Sequence, residues 1–389
     1  MMNPIQTFAA LYMKLKNADP IPVTFGKGVA ATLANPIEEA GYKSVFIACS
    51  RTINRENMLR ELIEKLNEKG IKTTVFSDIV PDPTIQNVET GLKVLKANNC
   101  DCVVAAGGGS VIDCAKVIAL RATNSWMPVS AMAIYIRPLF KSLPLFVLPS
   151  TSGTGSEVTY FSVITDDVNH KKFPIATDQF MPKHIVFDYN LLHTVPTNPT
   201  VYAGLDALTH SVEAFISKLK PAFKEDAKSA PEVCRDIFKY LPIVKDDPDN
   251  EEARLGMAKA AYNAGINFRR NAVGFVHAIA HRIGENYHIP HGLACGVILP
   301  HVLRASLKDA KSDLDFLAKN SGIADDAEGF INAIDQLLVD LGVQTQFADI
   351  KKNDYTQIVS RVKWEAIMQG CPTWLGTKEI EEILNKVKG

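Results

Sequence analysis

No apolar run in this chain approaches the ~20 residues that a membrane span needs. Charge of one sign is also lacking: 42 Lys and Arg against 43 Asp and Glu leave a formal net charge of −1 over 389 residues. That balance argues against a nucleic-acid surface and against a polybasic membrane patch. The opening stretch, MMNPIQTFAALYMKLKNADP, has no long apolar core and no small-residue cleavage site, so it reads as folded chain rather than as a signal peptide. Repeats and low-complexity linkers are missing. Cysteine is sparse and dispersed, at 49, 100, 102, 114, 234, 295 and 371. An odd, scattered set implies reduced thiols and a cytoplasmic location. Cys100 and Cys102 form CDC, which reads as a buried strand edge rather than as metal ligands.

Two common signatures are absent as well. The zinc-protease pattern HExxH needs a Glu beside its first histidine. Here the stretch is HAIAH, with Ala278 after His277, so the general base of a protease is missing. The ordinary dinucleotide fingerprint GxGxxG is not found either; a different glycine run stands where a phosphate site would be.

At 47% apolar residues the chain has ample material for two hydrophobic cores. Its first half alternates strand and helix signals. SVFIA (44–48), IKTTVFS (71–77), DCVVAAG (101–107), PLFVLPS (144–150) and KHIVFD (183–188) read as strands. RENMLRELIEKLNEKG (55–70, ending at Gly70) and TIQNVETGLKVLKANN (84–99) read as helices between them. Such alternation implies a mostly parallel sheet covered on both faces. Beyond about residue 190 the strand signals fade, and segments such as EEARLGMAKAAYNAGINF are helical in period. The expected architecture is an α/β domain over 1–190 followed by an all-helical domain over 191–389.

The residues that carry chemistry fall into two groups. Asp206 and His210 in GLDALTH are four apart, hence on one face of one short helix. His277 and His281 repeat that spacing in GFVHAIAH. A break at Gly284 would let His291, in IPHG, turn back toward the same point. Asp206, His210, His277 and His291 together offer one hard oxygen and three imidazole nitrogens, a set suited to Fe²⁺ or Zn²⁺. His288 reads as a pocket-wall or surface residue, and His170, His184, His193 and His301 as ordinary histidines outside any paired spacing.

The second group lies in the α/β half. VVAAGGGSVID carries a strand into three glycines and a helix starting near Ser110. Glycines let the backbone approach an anion, and a helix start offers free N–H groups to a pyrophosphate. A tight strand-to-helix connection explains the same residues without a ligand. Asp113, one turn on, reads as a capping carboxylate or a ribose contact. The stretch 150–157, STSGTGSE, has five hydroxyl side chains and two glycines after a strand, where open parallel sheets bind ligands. The alternative is a solvated loop.

Taken jointly, FGKG at 25–28, PDPT at 81–84, GGGSVIDCAK at 107–116, STSGTGSEVT at 150–159, GLDALTHSVEA at 204–214 and VGFVHAIAH…IPHGLACGVILPH at 273–301 resemble the iron-containing alcohol dehydrogenase family, in order and interval, from about residue 20 onward. The resemblance implies a dehydroquinate-synthase-like fold: a dinucleotide-binding α/β domain, a helical metal-binding domain and an active site in the cleft between them. By similarity, Asp206, His210, His277 and His291 bind Fe²⁺ (or Zn²⁺), and His281 is a non-ligand histidine that passes the alcohol proton toward solvent. Gly108, Gly109 and Ser110 would hold the pyrophosphate of NAD(P). Ser150, Thr151 and Thr154 would line its ribose and nicotinamide side, and Asp82, Asp113, Val163 and Lys172 match further cofactor positions.

The implied activity is hydride transfer between a small alcohol or aldehyde and NAD(P), in a homodimer or larger assembly. A glycerol-dehydrogenase-like polyol enzyme shares the fold and chemistry. A dehydroquinate-synthase-like lyase needs a lysine- and arginine-lined pocket, and 206–214 contains neither residue. A metal-binding protein without turnover is the reading from another class, and the intact loops argue against it. Four departures stand out, one of them Phe161 near the cofactor's reactive end, where relatives can carry a smaller or polar side chain. IACSRT has Cys49 and Ser50 where many members have an Asp, and Arg51 follows, which favours tolerance of NADP. HRIG at 281–284 replaces the usual HPLG. NFRRN brings Arg269 and Arg270 upstream of the metal helix, where they are expected to be structural or at a subunit surface; the alternative is that one of them reaches the substrate pocket and favours an acidic or phosphorylated substrate.

Overall fold

The computed structural model describes Thr7 and residues 20–132, 134–135, 138–169 and 171–389. His170 and, apart from Thr7 and Pro20, the N-terminal stretch read above as folded chain lie outside the described residues. The chain divides into two compact units, with the break between Val195 and Pro196.

The first unit is built on a six-stranded sheet. Its strands are β1 (Val23–Gly26), β2 (Ser44–Cys49), β3 (Lys72–Phe76), β4 (Cys102–Gly107), β6 (Leu145–Pro149) and β9 (His184–Asp188), ordered β1-β9-β6-β4-β2-β3. Every pairing is parallel. The inner strands SVFIAC, CVVAAG and LFVLP are buried along their whole length, which is why they read as continuous apolar runs rather than as alternating ones. The five strands expected from sequence are all present. The sequence reading missed β1, which is short and pairs with β9 at one edge. It also missed a small second sheet, in which β7 (Phe161–Thr165) runs antiparallel to β8 (Lys172–Ala176) and β5 (Ile134–Tyr135) joins β8. All three are brief, and β7 and β8 are partly exposed, so they lack a clear apolar period.

From β2 the chain steps outward to β3, then returns to the other side of β2 to lay down β4. The order therefore reverses between β2 and β4, the switch point at which open parallel sheets hold ligands beyond their carboxyl ends. The Gly109–Thr123 helix starts there, immediately after β4. At the other end of the sheet, buried Asp188 accepts hydrogen bonds from Gly28 N (2.9 Å), Ala30 N (2.7 Å) and Asn190 N (2.9 Å). That carboxylate shapes the FGKG turn, where Gly28 has φ +70°.

The second unit is helical. Its central Thr197–Phe215 helix is buried continuously from Gly204 to Phe215 and packs against the Ala230–Asp246, Glu251–Asn271 and His291–Ser321 helices. A helix enclosed on all sides needs small residues where its neighbours cross. A Cβ on Gly292 would lie 2.0 Å from the carbonyl oxygen of Tyr202, so only glycine lets the His291–Ser321 helix start this close. The break expected at Gly284 is not there. The Phe275–Tyr287 helix continues through Gly284 and ends at His288, left-handed at φ +56°, before Pro290. Gly284 keeps ordinary helical geometry, while a residue in the left-handed region ends a helix. His288 is exposed.

The Gly292 contact yields a direct test. Gly292→Ala is expected to destabilise the fold by about 1–3 kcal/mol, as other overpacking substitutions do, read as a lower denaturant midpoint. An unchanged midpoint would mean the two helices can separate freely.

Candidate metal centre

Asp206 lies midway along the central helix, only 4% exposed, and its Oδ1 has no hydrogen-bond partner. Three imidazoles face that oxygen. His277 Nε2 and His291 Nε2 are each 3.5 Å away, and His210 Nε2 is 3.8 Å away. Two donors bonded to one ion at about 2.0–2.2 Å in tetrahedral directions stand about 3.3–3.6 Å apart, so the His277 and His291 separations suit a shared cation and the His210 separation lies just beyond that range. His277 Nε2 is also buried without a hydrogen-bond partner. Leaving such atoms unsatisfied costs on the order of 1–3 kcal/mol each, more for a charge; a divalent ion satisfies both. The donors present fit the metal inferred from sequence.

The rings hold one another in place. His210 stacks on Phe268 at 4.1 Å and on His277 at 4.6 Å, and His291 lies against His281 at 5.1 Å between centroids. Burial opposes a charge on Asp206, but His210, His291 and His277 outweigh it and hold the carboxyl well below its usual range. Burial leads in lowering His291, joined by the neighbouring imidazoles. Both groups are thereby kept in the forms that bind a cation.

Three residues at the site escaped the sequence reading. Glu213, buried one turn beyond His210, accepts from His277 Nδ1 (2.6 Å), Gly274 N (2.9 Å) and Val276 N (2.8 Å). Its carboxylate fixes the His277 tautomer, so that Nε2 is the nitrogen presented to Asp206. Its position in the GLDALTHSVEA run was the available signal. Cys295 is the second: its Sγ lies 3.6 Å from His291 Nε2, and the donor atoms of Asp206, His277, His291 and Cys295 all fall within 4.8 Å of one another. Burial pushes that thiol up to about 12. The third is Glu365, which accepts from His281 Nδ1 at 2.6 Å and from Arg282 at 2.6 Å. Arg282 also reaches Glu285, which accounts for an arginine in HRIG.

Arg269 and Arg270 both pair with Asp226, which is 5% exposed; Arg270 does so through Nε (2.5 Å) and a terminal nitrogen (2.7 Å). They clamp a short segment to the Glu251–Asn271 helix.

The remaining residues singled out from sequence lie in the α/β unit, where the two loops pack on each other. A Cβ on Gly108 would meet Thr151 at 3.1 Å, and one on Gly109 would meet the Thr154 hydroxyl at 2.9 Å. Ser150 N donates to Gly107 O at 3.0 Å, joining the ends of β4 and β6. The hydroxyl of Ser110 accepts from Asp82 N (3.3 Å), and Asp82 pairs with Lys172 at 2.7 Å. Asp113 accepts from Val163 N at 2.8 Å and from the Ser156 hydroxyl. Beside it, Lys116 is 1% exposed and donates to Phe161 O (2.6 Å) and Thr159 O (3.0 Å). Burial lowers Lys116 to about 8 although Asp113 and Glu157 oppose it, and burial raises Glu157 to about 7 against the pull of Lys116.

For the Glu213 contact, Glu213→Gln is expected to weaken metal binding by about 10–100-fold, the usual cost of losing a partner behind a ligand, measured by chelator competition. Unchanged affinity would show that the His277 tautomer does not depend on Glu213.

Comparison with known proteins agrees with the geometry. Residues 20–189 match the iron-containing alcohol dehydrogenase family, and residues 200–388 match the C-terminal region of the Fe-containing alcohol dehydrogenase family. Alcohol dehydrogenase 4 of Schizosaccharomyces pombe is 34% identical over 348 residues, covering 88% of this chain and 82% of the relative. A crystal structure of 1,3-propanediol oxidoreductase superposes with a TM-score of 0.89 at 30% identity, covering 95% of this chain and 98% of the other. Sulfoacetaldehyde reductase from Bifidobacterium kashiwanohense, solved with NAD+, superposes with a TM-score of 0.87 at 29% identity over 95% and 97% of the two chains. The chain belongs to the iron-containing alcohol dehydrogenase family.

Proposed function

We propose that this chain is a metal-dependent alcohol dehydrogenase, and an aldehyde reductase in reverse, moving hydride between a small alcohol and NAD(P). The observation that carries the reading is the buried, unpartnered Asp206 oxygen ringed by three imidazole nitrogens, in a member of a family of alcohol oxidoreductases. Asp206, His210, His277 and His291 hold Fe²⁺ or Zn²⁺. When bound, the ion supplies Lewis acidity toward the substrate oxygen. The nicotinamide cofactor carries the redox chemistry, and the protein supplies orientation.

His281 exchanges the alcohol proton. An ionised Glu365 only accepts hydrogen bonds, so Nδ1 of His281 carries the hydrogen and Nε2 is left to take up or release a proton. Burial works against the charge on Glu365, but His281 and Arg282 outweigh it and hold the carboxyl low. His281 is 42% exposed, which gives its proton a route to water.

Cofactor contacts follow from the switch point. Gly108, Gly109 and Ser110, at the start of the Gly109–Thr123 helix, take the pyrophosphate. Ser150, Thr151 and Thr154 take the ribose and nicotinamide side, with Asp82, Asp113, Val163 and Lys172 contributing around them. At the end of β2, Ser50 caps the following helix by accepting from Ile53 N, and Arg51 is 3.5 Å from Asp78. With no carboxylate on Cys49 or Ser50, NADP is tolerated; Asp78 tempers the attraction of Arg51 for a 2′-phosphate. No helix among the described residues is long and apolar enough to cross a membrane. A cytoplasmic location, supported by seven free thiols, and a homodimer or larger assembly complete the reading.

His277→Ala is expected to abolish metal binding together with aldehyde-dependent oxidation of reduced cofactor. His281→Ala should keep its metal and lose about 10²-fold or more in kcat. A His281 variant that purifies without metal overturns the division of roles. Catalytic efficiencies with NADP and NAD are expected to fall within about tenfold of each other, and Arg51→Ala should lower only the NADP value. A strong preference for NAD refutes the cofactor reading.

A further inference from the structure

We propose that Cys295 is a thiol ligand of the metal centre, so that the ion is held by oxygen, nitrogen and sulfur together. The inference rests on the metal reading above and adds a donor to it. Cys295 follows His291 by four residues in the His291–Ser321 helix, so both side chains leave the same helical face one turn apart. The sulfur is fully buried, and it is not a lone thiol. Its donor atom joins those of Asp206, His277 and His291 within a 4.8 Å cluster. Asp206 Oδ1 and His277 Nε2 are buried in the same place with no hydrogen-bond partner.

The sulfur-to-imidazole distance fits coordination. With a metal–sulfur bond of about 2.3 Å and a metal–nitrogen bond of about 2.0–2.1 Å, tetrahedral directions separate sulfur from nitrogen by about 3.5–3.6 Å. The Cys295 Sγ to His291 Nε2 distance is 3.6 Å. His210 Nε2 lies 3.8 Å from Asp206 Oδ1, and the four donors within 4.8 Å of one another are those of Asp206, His277, His291 and Cys295. When the metal–sulfur bond forms, the S–H bond breaks and its proton passes to solvent; no oxidation state changes. A soft sulfur donor shifts preference toward thiophilic ions such as Zn²⁺, Co²⁺ and Cd²⁺, relative to a site of oxygen and nitrogen alone.

Co²⁺ is the probe. The full chain is stripped with chelator, loaded with Co²⁺ and read by absorption, without reference to turnover. Loaded wild type is expected to show visible ligand-field bands together with a near-ultraviolet sulfur-to-cobalt charge-transfer band. Cys295→Ser and Cys295→Ala should keep the ligand-field bands and lose the charge-transfer band, while Cys100→Ser, which alters a thiol in the other unit, should keep both. Cd²⁺ affinity by chelator competition should drop about tenfold or more in Cys295→Ala, with Mn²⁺ affinity little changed. Ligand-field bands without a charge-transfer band in wild type, or a band that survives in Cys295→Ala, overturns the sulfur ligand and leaves the Asp206 centre standing. Wild type that takes up no Co²⁺ overturns the metal reading and the sulfur ligand with it.

Discussion

The helical unit is organised around one buried carboxylate. An ionised oxygen at the position of Asp206 is expensive in an apolar interior unless opposite charge or hydrogen bonds compensate it. The surrounding core is built largely of Leu, Val, Ile and Ala side chains, which offer neither. Among the described residues, compensation comes from the imidazoles of His210, His277 and His291 and from the cation they hold with it. The arrangement is a poor way to stabilise a fold and a good way to hold a metal.

Rigid elements keep the donors in place. Asp206 and His210 share one enclosed helix, His277 stands near the start of a second, and His291 opens a third. Glycines set the spacing: Gly292 lets the third helix approach the first, and Gly274 makes room for Glu213, whose carboxylate would lie 2.7 Å from a Cβ there. Behind the imidazoles stand two acidic side chains with different duties. Glu213 is buried and aligns His277; Glu365, shared with Arg282, aligns the more exposed His281. That difference accords with the proposed roles: a metal ligand needs a locked tautomer, and a proton carrier needs access to water.

The α/β unit follows another economy. Its two loops are shaped by contacts between them, with Thr151 and Thr154 filling the space that side chains on Gly108 and Gly109 would occupy. Beneath them lie three ionisable groups, half-buried Asp113 and buried Lys116 and Glu157; Lys116 and Asp113 are tied by hydrogen bonds to the backbone of residues 159–163. These bonds anchor β7 against the helix that begins at the glycine turn. Asp113 therefore engages the protein through both carboxylate oxygens, and Asp82 and Lys172 are joined to each other.

By itself the sequence determined whatever depends on short-range pattern. Continuous apolar runs marked the inner strands because a sheet covered on both faces buries every side chain along them. The i, i+4 spacing of Asp206 with His210 marked one helical face, and the strand–glycine–helix run of residues 102–116 marked the turn after β4. The tertiary structure decided what depends on distant partners. Glu213 meets His277 across 64 residues and Glu365 meets His281 across 84, separations at which no local period carries information. The helix end at His288 rather than Gly284 was decided by a left-handed residue before Pro290, a backbone state that glycine content did not reveal. Cys295 looked like any dispersed thiol until packing set its sulfur among a carboxylate and two imidazoles, because only the folded chain turns one helical face and three separate helices into a single set of donors.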